Sequence, residues 1–308
     1  MSPDAQYSGE KRALILVNPE AGHGRARRMS IPLPDVAREL GWEVETRETQ
    51  GAGQEVELAA EAGREGWPVV IAVGGDGTVH GTVNGLLSQG STDTVVAHVP
   101  IGTGNDFAKM VGLDKGHKPE RNLRRILGGR LRFFDVGRAI DEYFINSVGV
   151  GFTAETAKNL MKYKKLGGFA SYVVAVYRTF FTYKAPELAV RTSSFFERGR
   201  ILMVEITIGK TTGGGFTVSP DADSCDGLLD VCLIREIGTL TFLRYVPRVI
   251  RGTHVGLPPV EVFQSDRIEL ESFAGPAAVH LDGELRFAET ASIVVEILPG
   301  RLPVLCAH

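Results

Sequence analysis

The chain has 308 residues, comfortable for two domains, and its 37 glycines are about 12% of the total against the ~7% typical of proteins. Hydrophobic residues at 43% and charged residues at 23% exclude a disordered chain, and a net charge of −3 argues against nucleic acid as the main partner. Cys225, Cys232 and Cys306 have neither disulfide nor zinc spacing, which suits a reducing cytosol. No signal peptide is expected in the polar stretch 1–11, and no apolar run approaches the ~20 residues of a membrane span.

In chain order, residues 13–17 read as a buried strand ended by Asn18-Pro19, 31–40 as a helix stopped by Gly41, and 42–47 as a second strand. Residues 54–64 are Ala- and Glu-rich and helical. Residues 69–73 form a third strand running into Gly74-Gly75-Asp76-Gly77-Thr78, followed by a helix from near Thr78 to about Leu87 and a strand over 94–99. This alternation predicts a mainly parallel sheet covered on both faces. Beyond residue 135 the rhythm changes: 132–140, 143–148, 188–192, 202–208, 229–234, 267–270 and 278–281 read as strands, several of them alternating as half-buried antiparallel strands do. Helices near 170–183 and 240–251 interrupt them, the second expected to be distorted or ended by Pro247. The expectation is an α/β nucleotide-binding domain over 1–135 and a β-rich, sandwich-like domain over 136–289. The last strand, 292–298 within a segment of about 290–308, is a candidate to return to the first sheet.

Three strand-to-loop transitions in the first domain carry small polar residues: Asn18-Pro19-Glu20-Ala21-Gly22-His23-Gly24, Gly74-Gly75-Asp76-Gly77-Thr78, and Pro100-Ile101-Gly102-Thr103-Gly104-Asn105-Asp106. In an open α/β sheet, ligands bind beyond the carboxyl ends of the strands, so the three are expected to converge. In the second loop, glycines permit positive φ and close approach, and the helix that follows directs N–H groups and a positive dipole end at the same place, which suits a phosphate. Asp76 is too acidic to face phosphate directly, and its sensible partner is Mg²⁺ bridging phosphate oxygens. A tight turn with Asp76 as a helix cap would account for that loop alone. The acid and amide of Asn105-Asp106 favour phosphate binding. Neither a G-x-x-x-x-G-K-[ST] loop nor the protein-kinase motif pair occurs, so both common kinase architectures are excluded.

In the second domain, Asp221, Asp223, Asp226 and Asp230 crowd one turn. Asp223, Asp226 and the Leu228 carbonyl suit a hard cation; a solvated acidic turn is the alternative. Asp282-Gly283-Glu284 reads either as a hairpin turn or as a general base, Asp282, with Glu284 close by.

These motifs, in this order, resemble the diacylglycerol kinase catalytic-domain family, which includes sphingosine kinases and bacterial soluble lipid kinases. The similarity runs from Asn18 to Glu284. It centres on the second and third glycine loops and on Asn84-Gly85-Leu86, and includes Gly213-Gly214-Gly215 and the Pro220 to Asp230 segment. The resemblance implies an ATP- and Mg²⁺-dependent lipid kinase with its site in the cleft between the domains. It assigns ATP binding to Asn18, Thr49, Gly75, Asp76, Thr78 and Thr103, within loops that also contain Gly74 and Gly77. Asn105 and Asp106 would support the catalytic metal network, and Asp223, Asp226 and Leu228 a structural Mg²⁺. The base falls on Asp282 or Glu284. The implied partner is a lipid at the inner membrane surface, met by a cytoplasmic, peripheral protein; a homodimer is compatible.

The sequence departs from the family where His80 and Gly81 replace the usual Asn and Glu, and where Ala21 replaces a common Ser. Two apolar stretches, 170–181 and 240–251, read as core helices. The second, with Arg244, Arg248 and Arg251, is also a candidate to lie on an anionic bilayer. Phosphorylation of a soluble nucleotide in the manner of NAD kinases, and an inactive lipid- or nucleotide-binding regulator, are the alternative functions. The lipid itself is not readable from the sequence.

Overall fold

The computed structural model describes residues 5–90, 93–113, 118–160, 168–275, 277–287 and 291–307. Residues 1–4 of the polar N-terminal stretch, and 290 and 308 of the last predicted segment, lie outside the described residues. The chain divides into two compact units, Met1–Phe134 with Gly300–His308, and Asp135–Pro299.

The first unit runs β1 (Ala5–Gln6), β2 (Arg12–Val17), α1 (Ala26–Met29), α2 (Leu33–Glu39), β3 (Glu43–Glu48), α3 (Gln54–Arg64), β4 (Val69–Gly74), α4 (Asp76–Leu87), β5 (Val95–Pro100), α5 (Asp106–Met110) and α6 (Pro119–Leu127), and then enters β6 (Arg130–Ala139). Strands β3, β2, β4 and β5 lie side by side in that order, all parallel, with Leu14 opposite Val70 and Val70 opposite Val96. The central strands β2 and β4 are apolar and buried almost throughout, as strands covered on both faces must be. β3 is the edge strand. It carries Glu43, Glu45, Arg47 and Glu48, charges that blunt an open edge. The chain leaves β2 to one side to form β3 and returns on the other to form β4, so strand order reverses at β2 and β4. Helix α4 packs closely on α3, because a Cβ on Gly85 would stand 2.2 Å from the Val56 carbonyl oxygen.

The second unit contains β7 (Glu142–Phe144), β8 (Ser147–Gly151), α7 (Phe152–Leu160), α8 (Gly168–Thr182), β9 (Glu187–Arg191), β10 (Phe196–Thr207), β11 (Leu229–Arg235), α9 (Thr239–Ile250), β12 (Val260–Ser265), β13 (Arg267–Ser272), β14 (Ala278–Leu281), β15 (Glu284–Phe287) and the start of β16 (Ser292–Cys306). Its strand pairs are antiparallel. The first half of β10 pairs with β9, the second half with β8 and β11, and the register of the β10–β11 pair shifts between Ile201 and Met203. An irregularity there lets one long strand serve two sheets. β13 alternates exposed and buried residues, the pattern of a sheet with one wet face. The core gathers aromatic residues: Phe180 stacks on Phe242 with ring centroids 3.7 Å apart, and Phe152 meets Phe242 edge-on.

The structure sharpens three expectations. Residues 292–296 of the last strand pair with β13 in the second unit, and the part that joins the parallel sheet lies beyond Leu298, where Val304 pairs with Val96 of β5. Pro247 does not end α9, which continues to Ile250. Helix α4 starts at Asp76, two residues before Thr78. Among the described residues no helix is long and apolar enough to cross a membrane.

Candidate functional site

The three glycine-bearing loops of the first unit follow β2, β4 and β5, and they touch one another at the point where strand order reverses. A crevice outside the carboxyl ends of the strands at such a reversal is where open α/β sheets bind ligands. Asn18 donates its N–H to the Val73 carbonyl and its Nδ2 to Thr78 Oγ1 at 3.3 Å, tying the first loop to the second. Gly22, in the left-handed region at φ 62°, sits so close to the third loop that a Cβ would fall 2.3 Å from the Ile101 carbonyl oxygen. The second and third loops meet backbone to backbone, since a Cβ on Gly102 would lie 2.5 Å from Gly75 Cα.

Gly74 and Gly75 do not have positive φ. Their value is space: a Cβ on Gly74 would stand 2.2 Å from Thr78 Oγ1. Gly75 caps the twelve-residue helix α4 and, as a glycine, supplies no side-chain cap, and Gly77 sits in its first turn. The positive end of α4 therefore lies beside the other two loops. Asp76 caps a different helix from the one expected. Its Oδ1 accepts the N–H of Phe107 in α5 at 3.1 Å, joining loops two and three. Asn105 takes a left-handed conformation and binds Gly102 at both ends, Oδ1 accepting its N–H at 2.9 Å and Nδ2 donating to its carbonyl at 3.0 Å. Asp106 is buried and paired with Lys109. These two residues shape the third loop, and Thr103 stands exposed upon it. Thr49, buried at the end of β3, donates its N–H to the Val17 carbonyl, which leads directly into Asn18.

His98 was not singled out by sequence, although a histidine inside the apolar run of β5 is a visible signal. It is fully buried, and its Nε2 donates to the Gly74 carbonyl at 3.2 Å, so the neutral ring supports the start of the glycine loop. Burial pushes its pKa down to about 4 against the weaker opposing effect of that bond. The Gly81 departure also has a physical reading. A Cβ at 81 would lie 2.2 Å from Glu55 Cγ, so a side chain from α3 fills the space.

In the second unit, Asp223 Oδ1 accepts the Cys225 N–H and Asp226 Oδ1 that of Leu228, while Asp226 Oδ2 accepts from Gln264. Asp135, also missed by sequence, braces this turn: it is buried, its N–H donates to Ser224 and its Oδ2 accepts from Gly227 at 2.7 Å. Burial pushes the Asp230 carboxyl up to about 6; a Gln264 hydrogen bond opposes this, while Asp226, Asp221 and Asp223 add to it. Asp230 Oδ2 is buried without a hydrogen-bond partner. Crowded acids of this kind are what a hard cation relieves, so the donor chemistry fits Mg²⁺. Among the described residues no three of His, Cys, Asp and Glu gather as a ready-made metal cage, so a cation here would also need oxygens such as the Leu228 carbonyl.

Asp282 and Gly283 form the two-residue turn between β14 and β15, both with positive φ, at 51° and 88°. The hairpin reading is thus realised. The Asp282 carboxylate does more than turn the chain, accepting N–H bonds from Ile145, Asn146 and Ser147 at 2.8–3.0 Å. Glu284 is exposed at the start of β15. Beneath the turn, His280 Nε2 faces Glu205 Oε1 at 3.3 Å, both residues buried. Burial would raise Glu205 and lower His280, yet their mutual attraction, with the Thr153 and Ser147 hydroxyls alongside the carboxylate, leaves Glu205 below its ordinary range and His280 above. Gly149 makes room for this group, since a Cβ there would lie 2.1 Å from His280 Nε2 and 2.4 Å from Glu205 Oε2.

The same unit holds a cavity of about 60 Å³, with room for several water-sized spheres, whose wall is almost wholly apolar. Phe152, Tyr172, Phe216, Phe242 and Val246 line it, with Thr153 and Thr212 also on its wall.

Two family models match the chain. "Diacylglycerol kinase catalytic domain" covers residues 12–139, and "YegS C-terminal NAD kinase beta sandwich-like domain" covers residues 146–306. Among similar proteins, a "Diacylglycerol kinase" of Bacillus subtilis (strain 168) is 26% identical, the alignment covering 89% of this chain and 90% of that one. A "Probable lipid kinase YegS-like" of Pseudomonas putida is 30% identical over 96% and 98% of the two chains. A solved diacylglycerol kinase structure from Bacillus anthracis (strain Sterne) superposes with a TM-score of 0.72 at 18% identity, covering 97% of this chain and 98% of that one; at this identity it speaks to fold alone.

Proposed function

The chain belongs to the diacylglycerol kinase catalytic-domain family, a kinase family, and from that premise we propose that it transfers the γ-phosphoryl group of ATP to the hydroxyl of a lipid alcohol, diacylglycerol or a related lipid. The observation that carries this reading is the knitting together of three small-residue loops at the sheet's reversal point, beside the amino-terminal end of α4. Backbone N–H groups and a helix dipole there suit a polyphosphate.

In this reading Asn18, Thr49, Thr78 and Thr103 surround the nucleotide, and the close packing of Gly74, Gly75 and Gly102 lets its phosphates approach the backbone. Asp76 would hold Mg²⁺, with Asn105 and Asp106 keeping the third loop in shape around it. When bound, Mg²⁺ supplies charge neutralisation at the phosphate oxygens, the main requirement of phosphoryl transfer. Asp282, its carboxylate fixed by three backbone N–H donors, orients the acceptor hydroxyl and takes its proton, with Glu284 beside it in sequence. Asp223, Asp226 and the Leu228 carbonyl would hold a second, structural Mg²⁺ that neutralises the acidic turn.

The apolar cavity favours a lipid acceptor over a soluble nucleotide, because a hydrocarbon chain gains by leaving water for such a wall. We assign the protein a cytoplasmic, membrane-peripheral role on the same ground. The test is incubation with labelled ATP, Mg²⁺ and a panel of diacylglycerol, sphingoid base, phosphatidylglycerol, polyprenol and NAD. Label in one chloroform-soluble product supports the proposal and names the substrate. Label on NAD alone, or nucleotide binding without turnover on any acceptor, overturns it.

A further inference from the structure

Helix α9 has two unlike faces. Inward, Phe242 and Val246 are buried and, with Tyr245 and Val249, line the apolar cavity. Outward, Leu240, Leu243, Arg244 and Arg248, followed by Arg251 at the helix end, recur at intervals of three and four residues and so form one stripe. Leu240 and Leu243 are 63% and 41% exposed, unusual for leucines on a helix that has a core to pack against. The helix contains no acidic residue, and the preceding acid, Glu236, is paired with Arg200 at 2.9 Å.

The arginines of this stripe differ from others in the same unit. Arg198, Arg200, Arg235, Arg267 and Arg286 each pair with a glutamate. Among the described residues Arg244, Arg248 and Arg251 have no ion-pair partner. Phe181, 64% exposed at the end of α8, stands next to the stripe's helix through Phe180, whose ring stacks on Phe242. Exposed leucines and a phenylalanine among uncompensated cations make a surface that gains from acyl chains and anionic headgroups together.

We infer that the outer face of α9 seats on an anionic lipid bilayer, with the lipid-binding cavity directly behind it. This rests on the lipid-kinase reading and adds the surface through which the enzyme meets its substrate. Substrate then passes from membrane to cavity around one helix, without crossing water as a free molecule.

The experiment is co-sedimentation of the full chain with vesicles of phosphatidylglycerol and phosphatidylcholine, compared with phosphatidylcholine alone. Binding should require phosphatidylglycerol and weaken as salt rises. The triple variant Arg244→Gln, Arg248→Gln, Arg251→Gln should lose about a hundredfold in vesicle affinity at low salt, from several-fold per cation. A second variant, Leu240→Ser with Leu243→Ser, should weaken binding at every salt concentration. Both should keep the parent's melting temperature and its turnover of a short-chain, monomeric diacylglycerol, since none of these residues lines the cavity. Equal binding by the triple variant, no binding by the parent, or loss of a self-associated state in place of vesicle binding would each overturn the inference. Absence of turnover on monomeric lipid by parent and variants alike would instead strike the lipid-kinase reading and leave the vesicle result to stand by itself.

Discussion

Gly75 and Gly102 meet without side chains between them, so closely that a Cβ on Gly102 would stand 2.5 Å from Gly75 Cα. Gly102→Ala must therefore push the second and third loops apart. Overpacking of this kind costs about 1–3 kcal/mol, and we expect MgATP affinity to fall roughly tenfold or more as the loops separate. Urea unfolding and ATP titration of the variant check both. Unchanged affinity would mean the loop contact is irrelevant to the nucleotide.

Asp76 has two separable duties. Asp76→Asn keeps an Oδ1 acceptor for the Phe107 N–H, so stability should stay within ~0.5 kcal/mol while Mg²⁺-dependent ATP affinity drops at least about tenfold. Asp76→Ala removes the acceptor as well, and should cost a further ~1–2 kcal/mol of unfolding free energy. Equal stability of the two variants would show that the bond to α5 contributes nothing.

His98 makes the first unit acid-sensitive. Its folded pKa of about 4 lies below the 6.5 of a free histidine, so below pH 6.5 the unfolded chain binds a proton that the native state refuses. The stabilisation from its neutral form is complete above that pH and is lost as pH falls toward 4, a change of about 3 kcal/mol. Urea unfolding at pH 7 and pH 4.5 should show this loss in the parent and most of it abolished in His98→Gln. The same slope in both would exclude His98 as its source.

Much of the first unit was legible because its physics is local. Apolar runs of five or six residues ending in glycine, proline or asparagine, alternating with helix-length stretches, read as buried parallel strands with loops at their carboxyl ends. What escaped depended on contacts distant in sequence. Nothing near Asp76 announces that it caps α5, thirty-one residues later. The excess glycine was visible, but its reason at 74, 75 and 102 is close packing rather than left-handed backbone, and only neighbouring loops reveal that. In the second unit, β10 serves two sheets and β16 changes partner along its length, and no periodicity within one strand encodes such a switch. The Glu205–His280 pair was hidden for the same reason, its members being remote in the chain.

Asp282 is built into a frame of three backbone N–H donors. Asp282→Asn retains Oδ1 for Asn146 and Ser147 but turns an amide toward the Ile145 N–H. Turnover should fall by about 10²–10⁴, the usual span for a lost acid–base group, with MgATP affinity within a few-fold. Glu284→Gln should lose less. Steady-state kinetics with ATP titrations on both variants decide between them, and a larger loss at Glu284 would move the base to that residue.

Amide hydrogen exchange with and without MgATP tests the nucleotide site most directly. Added MgATP should slow exchange together at residues 18–24, 74–79 and 102–107, and Asp76→Asn should abolish the effect. No protection at millimolar MgATP, or protection confined to residues outside these three segments, would contradict the account.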